Sequence, residues 1–201
     1  MIRRMHARTR PTLYEQLEAL PEGLTGEILD GQLHTQPRPS WPHALAGSAL
    51  GGELVGPFQQ GRGGPGGWWI IDEPELHFVI DAEVDVPDLA GWRRERMPRP
   101  PRGHRGHRVT VVPDWVCEVL SPSTESKDRG IKMPIYARFG VAYAWLVDPL
   151  KRALEAYALI DGDWREIGRF EGEDRVSVAP FDAVAIDLSD LWVPDEDPGV
   201  S

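Results

Sequence analysis

The sequence has little cysteine, little lysine and no long apolar run. Its 201 residues include a single cysteine, Cys117, so the chain cannot form an internal disulfide, and the composition gives no indication of an oxidising compartment. No apolar run approaches the roughly 20 residues that a membrane-spanning helix needs. A chain of this length is expected to bury roughly 70% of its unfolded surface, so it needs no structural metal for stability. We therefore expect a soluble, cytoplasmic protein with no membrane partner.

The charges are unevenly distributed. With 22 basic and 32 acidic residues the net charge is -10, which argues against tight, non-specific binding to a polyanion through overall charge. Residues 92–108 nevertheless contain seven arginines against one acid, Glu95. We interpret this Arg-rich loop either as a solvated, Pro/Gly-broken loop or as a phosphate contact. In the second case Arg93, Arg94 and Arg96 would bind nucleic acid.

The first half of the chain carries clear helix and turn signals. Thr12 and Glu15 have capping-box spacing and predict the start of a short helix. Asp30-Gly31 is a strong signal for a two-residue hairpin turn within an alternating stretch, which places Glu27 on the first strand of the hairpin. A second helix, capped by its first residue, is expected over 40–54.

Apolar and alternating stretches predict the remaining sheet. The predicted strands cover residues 68–72, 76–80, 83–89, 115–120 and 142–147. The last two are joined through a helix expected over 132–138, which has the length of a βαβ crossover and predicts a parallel pair. Alternating stretches from 153 to 186 predict an antiparallel meander. The fold class is therefore α/β (an α+β mixed sheet) with a C-terminal antiparallel β extension, in one domain over 12–193 between an N-terminal arm (1–11) and a C-terminal tail (194–201).

One carboxylate stands inside an apolar strand. Glu118 lies in the sequence WVCEVL, where burial of an unpaired charge costs several kcal/mol. A divalent cation shared with Asp88, at the end of a neighbouring predicted strand, would satisfy this charge, and the backbone carbonyl of Val119 could supply a third ligand. The spacing leaves an alternative equally open, in which Glu118 forms a salt bridge with a lysine or arginine and Asp88 only caps a turn.

A basic group is expected near these acids. Lys132, one of three lysines in the chain, follows the turn after the Glu118 strand. Its ammonium could hold an attacking water or neutralise charge on a pentacovalent phosphate. Glu27 could complete the acidic set.

Five ordered blocks of the sequence resemble a known family. The blocks are Gly26–Leu33, Val86–Leu89, Glu118–Thr124, Asp128 with Lys132 and Tyr136, and Trp145–Pro149. In this order they are similar to the Uma-type family of restriction endonucleases, which belongs to the PD-(D/E)XK nuclease superfamily, and the likeness covers roughly residues 12–193. The resemblance implies a restriction-endonuclease-like core, hydrolysis of phosphodiester bonds in DNA with Mg²⁺ (or Mn²⁺) as cofactor, and nucleic acid as the partner.

The resemblance also implies roles for single residues. Asp88 and Glu118 match the two metal-binding acids of the superfamily. The superfamily places a lysine two residues after the second acid, but this chain has Leu120 there, which points to Lys132 on the following helix. His43 matches a family position near the site and is interpreted as an accessory group or as a helix-end residue with a local hydrogen bond.

Three functions are compatible with the sequence. The first is a metal-dependent endonuclease. The second is a catalytically inactive descendant that keeps the nuclease fold as a nucleic-acid-binding or oligomerisation module, such as a homodimer, and it is favoured by the net charge of -10 and the displaced lysine. The third is a protein-interaction domain whose acidic C-terminal half binds a basic partner.

Overall fold

The computed structural model describes residues 10–102 and 107–194. Most of the predicted N-terminal arm and C-terminal tail, and positions 103–106 of the Arg-rich loop, lie outside the described residues. The helices are α1 (Leu13–Glu18), α2 (Trp41–Leu54), α3 (Glu125–Lys127) and α4 (Met133–Phe139). None of the helices in this part of the chain has the length and apolar character required to cross a membrane.

The strands form two main sheets and one small pair. In chain order they are β1 (Leu24–Leu29), β2 (Gln32–Pro37), β3 (Trp68–Asp72), β4 (Leu76–Val79), β5 (Glu83–Asp85), β6 (Leu89–Arg93), β7 (Trp115–Val119), β8 (Tyr143–Asp148), β9 (Ala153–Ile160), β10 (Asp163–Glu171), β11 (Arg175–Val176) and β12 (Ile186–Asp187). The larger sheet has the order β10-β9-β8-β7-β6-β3 and the smaller one β2-β1-β5-β4, while β11 pairs with β12.

The larger sheet is mixed, as predicted. Strands β7 and β8 are parallel, and the helical segment between them provides the long connection that a parallel pair requires. The pairs β8-β9 and β9-β10 are antiparallel, which confirms the C-terminal antiparallel extension. On the other side of β7, strands β6 and β3 are also antiparallel to their neighbours.

Both faces of β7 are buried, which explains its nearly continuous apolar sequence. Because side chains alternate along a strand, Cys117 packs on one face in a cluster with Leu50 of α2 and Phe181. Val116 packs on the other face in a second cluster with Tyr136 of α4. A carboxylate on β7 is therefore enclosed by the core, and neighbouring side chains must satisfy it.

Two local predictions are confirmed in detail. The side chain of Thr12 accepts a hydrogen bond from the N–H of Glu15 at 3.1 Å, and the Glu15 carboxylate accepts one from the N–H of Thr12 at 2.7 Å, so the capping box of α1 is complete. Asp30 and Gly31 join β1 to β2 with φ angles of 48° and 73°. Both values are positive, which is the backbone conformation of a type I′ hairpin turn.

The stretch 83–89, predicted as one strand, is divided between two sheets. Pro87 interrupts it because proline has no N–H to donate to a strand ladder. The backbone of Val86 is also diverted, since its N–H donates to Glu27 at 3.3 Å and its carbonyl accepts from Lys132 at 3.2 Å. β5 therefore joins the smaller sheet and β6 the larger one, so Asp85 lies in the smaller sheet and Asp88 lies next to the larger one.

The helix predicted over 132–138 begins earlier, at Glu125. Between α3 and α4 the chain forms a π-helical turn, Asp128–Lys132, in which the N–H of Met133 reaches the carbonyl of Asp128, five residues back. The wider turn buries the side chains of both Asp128 and Lys132. The predicted lysine is thus supplied by an irregular turn before the regular helix, and π-turns of this kind are frequent at functional sites.

The Arg-rich loop begins later than predicted. Strand β6 continues through Arg93, because Trp92 is fully buried and its indole N–H donates to the carbonyl of Val111 at 2.8 Å. The N–H of Arg93 donates to the carboxylate of Asp114 at 2.8 Å. The first two residues of the predicted loop are therefore part of the sheet.

Candidate active site

Buried acids meet where the two sheets adjoin. Glu27 on β1 and Asp85 on β5 come from the smaller sheet, and Glu118 on β7 comes from the larger one. The Nζ atom of Lys132 lies 2.9 Å from Glu27 Oε1, 3.0 Å from Asp85 Oδ1 and 2.8 Å from Glu118 Oε1. All four side chains are buried. We call this group the Lys132 cluster; its single ammonium links the two sheets.

Glu27 is neutralised by two lysines. Lys132 contacts its Oε1 atom, while Lys127 contacts its Oε2 atom and also donates to Gln36 Oε1 at 2.6 Å. Burial alone would raise the pKa of Glu27, but the two ammonium groups together lower it to about 2. Glu27 therefore stays ionised at neutral pH and anchors both lysines.

Asp85 and Glu118 are far less stable as anions than Glu27. Burial raises the pKa of Asp85 to about 7 and that of Glu118 well above its usual range, although Lys132 opposes both shifts. The Tyr136 hydroxyl lies 3.0 Å from Asp85 Oδ1 and also contacts Glu118 Oε1. A hydroxyl has one proton to donate, so both contacts are satisfied only when one of the two acids is protonated. The cluster is thus built to retain a proton near neutral pH.

Asp88 lies immediately before β6 and is tied to the neighbouring strand. Its Oδ2 atom accepts a hydrogen bond from the N–H of Val119 at 2.6 Å, and its Oδ1 atom lies 3.4 Å from Nε2 of His43. Burial lowers the pKa of His43 despite nearby acids, so the imidazole is neutral at physiological pH. A carboxylate, a backbone segment and an imidazole therefore meet at one point.

The two predicted metal-binding acids lie at the end of the β6-β7 ladder. The β6-β7 ladder ends at the Leu89–Cys117 pair, so Asp88, just before β6, and Glu118, one residue after Cys117, both lie next to its last pair. Burial raises the pKa of Asp88 to about 7, and the charge of Asp88 in turn contributes to the raised pKa of Glu118. The two acids therefore interact electrostatically.

A cavity of about 360 Å³ is lined by Asp88 and His43. Its other walls include Arg38, Glu73 and the Ser121–Thr124 turn. Glu73 has a φ angle of 41°, in the left-handed region, and its N–H donates to the carbonyl of Asp88 at 3.1 Å. The cavity exposes Asp88 to solvent, whereas the Lys132 cluster lies below the surface.

The predicted site residues fall into two adjoining groups. Glu27, Glu118 and Lys132 form the Lys132 cluster, whereas Asp88, the Val119 backbone and His43 face the cavity. The salt-bridge alternative for Glu118 is correct in part, because its cation is Lys132, but that ammonium is shared by three acids. The turn-capping alternative for Asp88 does not describe its contacts, since its carboxylate reaches across to another strand.

Sequence reasoning missed Asp85 and Lys127. Asp85 is completely buried, and its Oδ2 atom has no hydrogen-bond partner within the described ranges. A second acid two positions from Glu83 in a short apolar strand was the available signal. The scarcity of lysine could have drawn attention to Lys127 as it did to Lys132.

The arginines predicted to bind nucleic acid have partners within the protein. The partners are the Gln59 carbonyl for Arg94 (2.7 Å), the Asp114 carboxylate for Arg96 (2.7 Å) and the face of the Trp68 ring for Arg93 (4.7 Å). Arg93 is five residues along β6 from Asp88, which corresponds to about 17 Å in an extended strand. These side chains therefore lie at the far end of the strand from the cavity, and their role in nucleic-acid binding stays a prediction.

The donor set suits a hard divalent cation. Within residues 10–102 and 107–194, no three histidine, cysteine, aspartate or glutamate side chains are grouped as a preformed metal site. Mg²⁺ needs fewer protein ligands than that, because it takes oxygen donors from one or two carboxylates and keeps several of its waters. The carboxylates of Asp88 and Glu118 and the carbonyl of Val119 are such donors at one end of the β6-β7 pair. A cation there would also favour the ionised forms of both acids.

Comparison with known proteins gives a consistent result. Residues 11–189 match the family model described as "Uma2: Putative restriction endonuclease". Among solved structures, a protein from Anabaena variabilis ATCC 29413, described as a "putative nuclease belonging to DUF820", is 23% identical, with a TM-score of 0.70 over 90% of this chain and 97% of that chain. This likeness confirms the restriction-endonuclease-like fold. No curated protein matches the chain.

Proposed function

We propose that this chain, which belongs to the Uma2 restriction endonuclease family, is a metal-dependent endonuclease that hydrolyses phosphodiester bonds in DNA. Family membership supports a nuclease function. The observation that carries the proposal of metal-dependent cleavage is the position of Asp88. Its carboxylate accepts a hydrogen bond from the N–H of Val119, one residue from Glu118, and faces a solvent-accessible cavity. An acid that is this buried, yet open to a cavity, is suited to holding a cation against a substrate phosphate.

In this proposal some residues hold a cation and others fix the positions of its ligands. Asp88, Glu118 and the Val119 carbonyl would hold Mg²⁺ or Mn²⁺, which when bound supplies Lewis-acid activation of the phosphodiester and of water. Lys132 favours the ionised form of Glu118 and fixes the position of its Oε1 atom. Glu27 is a positioning residue, because it orients the ammonium of Lys132.

His43 has an accessory role in this proposal. Its Nε2 atom lies 3.4 Å from Asp88 Oδ1, so it orients one of the three proposed ligands. A neutral imidazole can also exchange a proton with a water in the cavity. Both roles depend on the pKa of His43 staying low, which burial ensures.

A second candidate is a nuclease fold that binds nucleic acid without cleaving it. One observation favours it: Lys132 is only 1% exposed, and its ammonium already contacts three carboxylates. In that state the amine cannot touch a substrate phosphate. The two candidates differ in whether a bound metal is followed by cleavage.

Cleavage assays with Mg²⁺, Mn²⁺ or EDTA on supercoiled plasmid, linear duplex, single-stranded DNA and RNA test the proposal. We expect metal-dependent cleavage of DNA that falls by roughly 100-fold or more in Asp88→Asn and in Glu118→Gln, because each change removes a charged metal ligand. Asp163→Asn, at an exposed position on β10, is the matched control and should leave cleavage unchanged.

Calorimetric titration of Mg²⁺ separates the two candidates. Binding that disappears in Asp88→Asn, without cleavage of any substrate by the wild type, would favour the inactive module. Cleavage that survives in either acid variant would contradict the assignment of the site.

A further inference from the structure

The cavity beside Asp88 presents a charge problem for a nucleic-acid substrate. Its lining contains the carboxylates of Asp88 and Glu73, and Asp88 is hydrogen-bonded to Val119, the residue that follows Glu118. A phosphodiester is itself an anion, so it is repelled by this lining unless positive charge is supplied. A metal offsets the repulsion at the reacting phosphate, but the neighbouring phosphates of the chain need other partners.

Most cations near the site are already engaged. Lys127 and Lys132 are paired with buried acids. Arg38 differs, because it is exposed and has no ion pair, hydrogen bond or ring contact within the described part of the chain. Among the described residues that line the cavity, Arg38 is also the one arginine.

The backbone around Arg38 is held in place by its neighbours. Pro37 is the last residue of β2, and Pro39 follows Arg38 directly. A residue before proline is restricted to an extended backbone, and proline fixes its own φ angle. The backbone that presents Arg38 is therefore set before any ligand arrives, which reduces the entropy lost on binding.

Hydroxyl groups in the same lining extend the donor set. Ser40 is the N-cap residue of α2, but its side chain makes no capping hydrogen bond. The turn that contains Ser123 and Thr124 also lines the cavity. Hydroxyls and a guanidinium are typical partners of backbone phosphates in nucleic-acid complexes. The guanidinium adds a planar, bidentate hydrogen-bond donor that matches the geometry of a phosphate.

We infer that Arg38 binds a phosphate of the polynucleotide backbone next to the phosphodiester held at Asp88. The inference rests on the proposed function, because it assumes that a nucleic acid enters the cavity. It assigns the contact to a residue other than Arg93, Arg94 and Arg96, whose guanidinium groups have partners within the protein.

Salt-dependent binding tests the inference. The full chain is titrated with fluorescein-labelled duplex or single-stranded DNA in Ca²⁺, at KCl concentrations from 50 to 300 mM as probe conditions. Loss of one phosphate contact lowers the slope of log K against log[salt] by about 0.9 for a duplex and about 0.7 for a single strand. We expect Arg38→Ala to show this change, Arg38→Lys to restore the slope because the charge is kept, and Arg165→Ala, at an exposed position on β10, to match the wild type.

The outcomes separate the inference from the proposed function. A wild type that cleaves DNA, with an unchanged slope in Arg38→Ala, overturns the role of Arg38 and leaves the nuclease proposal standing. A slope lowered equally by Arg165→Ala overturns the role too, since the effect is then one of overall charge. A wild type that neither binds nor cleaves nucleic acid overturns the proposed function itself.

Discussion

Replacing Asp88 by asparagine should stabilise the metal-free protein while it removes activity. The carboxylate is buried enough for its pKa to rise to about 7 from a usual value of 3.8. The asparagine amide has nearly the same shape, and its oxygen can still accept the hydrogen bond that Val119 N–H donates to Oδ2 at 2.6 Å. The substitution therefore removes the cost of a buried charge and keeps the local contact.

The size of the effect follows from the pKa shift. A rise of about 3 units at about 1.36 kcal/mol per unit is on the order of 4 kcal/mol. This figure is an upper bound, since the Asp88 side chain keeps 18% of its surface exposed to solvent. Because the folded pKa lies above the unfolded one, the native state binds more protons between these values, and the stability of the wild type falls as pH rises from about 4 to about 7. The Asp88→Asn variant does not lose stability over this pH range for this reason.

Urea denaturation in EDTA at pH 4, 6 and 8 measures the effect. We expect Asp88→Asn and wild type to have similar unfolding free energies at pH 4, which is close to the unfolded pKa of 3.8, and to diverge up to pH 8. Mg²⁺ should then stabilise the wild type alone, by an amount that grows with the logarithm of its concentration. A variant no more stable than the wild type at pH 8 would refute the reasoning, and Asp163→Asn controls for loss of a negative charge at the surface.

Two further predictions concern the lysines. Lys132→Met should lower the unfolding free energy at pH 8 by about 3–5 kcal/mol, because it leaves buried acids without their cation. The loss should be smaller at pH 5, where Asp85 and Glu118 hold protons more readily. A loss below about 1 kcal/mol in urea denaturation at pH 8 would contradict the shared role of this ammonium. Lys127→Met should raise the pKa of Glu27 from about 2. The low pKa of Glu27 in the folded state stabilises the protein above the unfolded pKa of 4.5, and this stabilisation is lost as the pH falls toward 2. The variant should therefore be less stable than the wild type by about 1–3 kcal/mol at pH 7 and nearly unchanged at pH 2. An equal loss of stability at both pH values would exclude this mechanism.

Local signals in the sequence predicted the elements that depend on a few neighbouring residues. The capping box of α1 and the turn at Asp30-Gly31 are specified by side-chain spacing and by the need for positive φ angles, and both are present. The buried strand around Glu118 was predicted from its apolar run, and its parallel pairing with β8 from the length of the connection. These features need no knowledge of distant contacts.

The predictions that were wrong concern features that depend on contacts between distant segments. The alternation over 83–89 predicted one strand, but Pro87 and the diversion of the Val86 backbone to Glu27 and Lys132 divide it. No spacing rule could show that Asp85 then joins the same ammonium as Glu118. The start of the helix after β7 was wrong because the π-turn satisfies buried polar groups that only the folded sheets bring together.

The π-turn before α4 sets a limit on how this segment can vary. It buries the side chains of Asp128 and Lys132 and supplies the ammonium of the Lys132 cluster, whereas α4 presents Tyr136 in regular helical register. Removing one residue would convert the turn to an ordinary helix and rotate everything before it by about 100° relative to α4. Relatives should therefore differ here by substitution, and an alignment of them should contain no insertion or deletion between Asp128 and Tyr136. The number of residues in this segment is then as much a part of the site as the lysine itself.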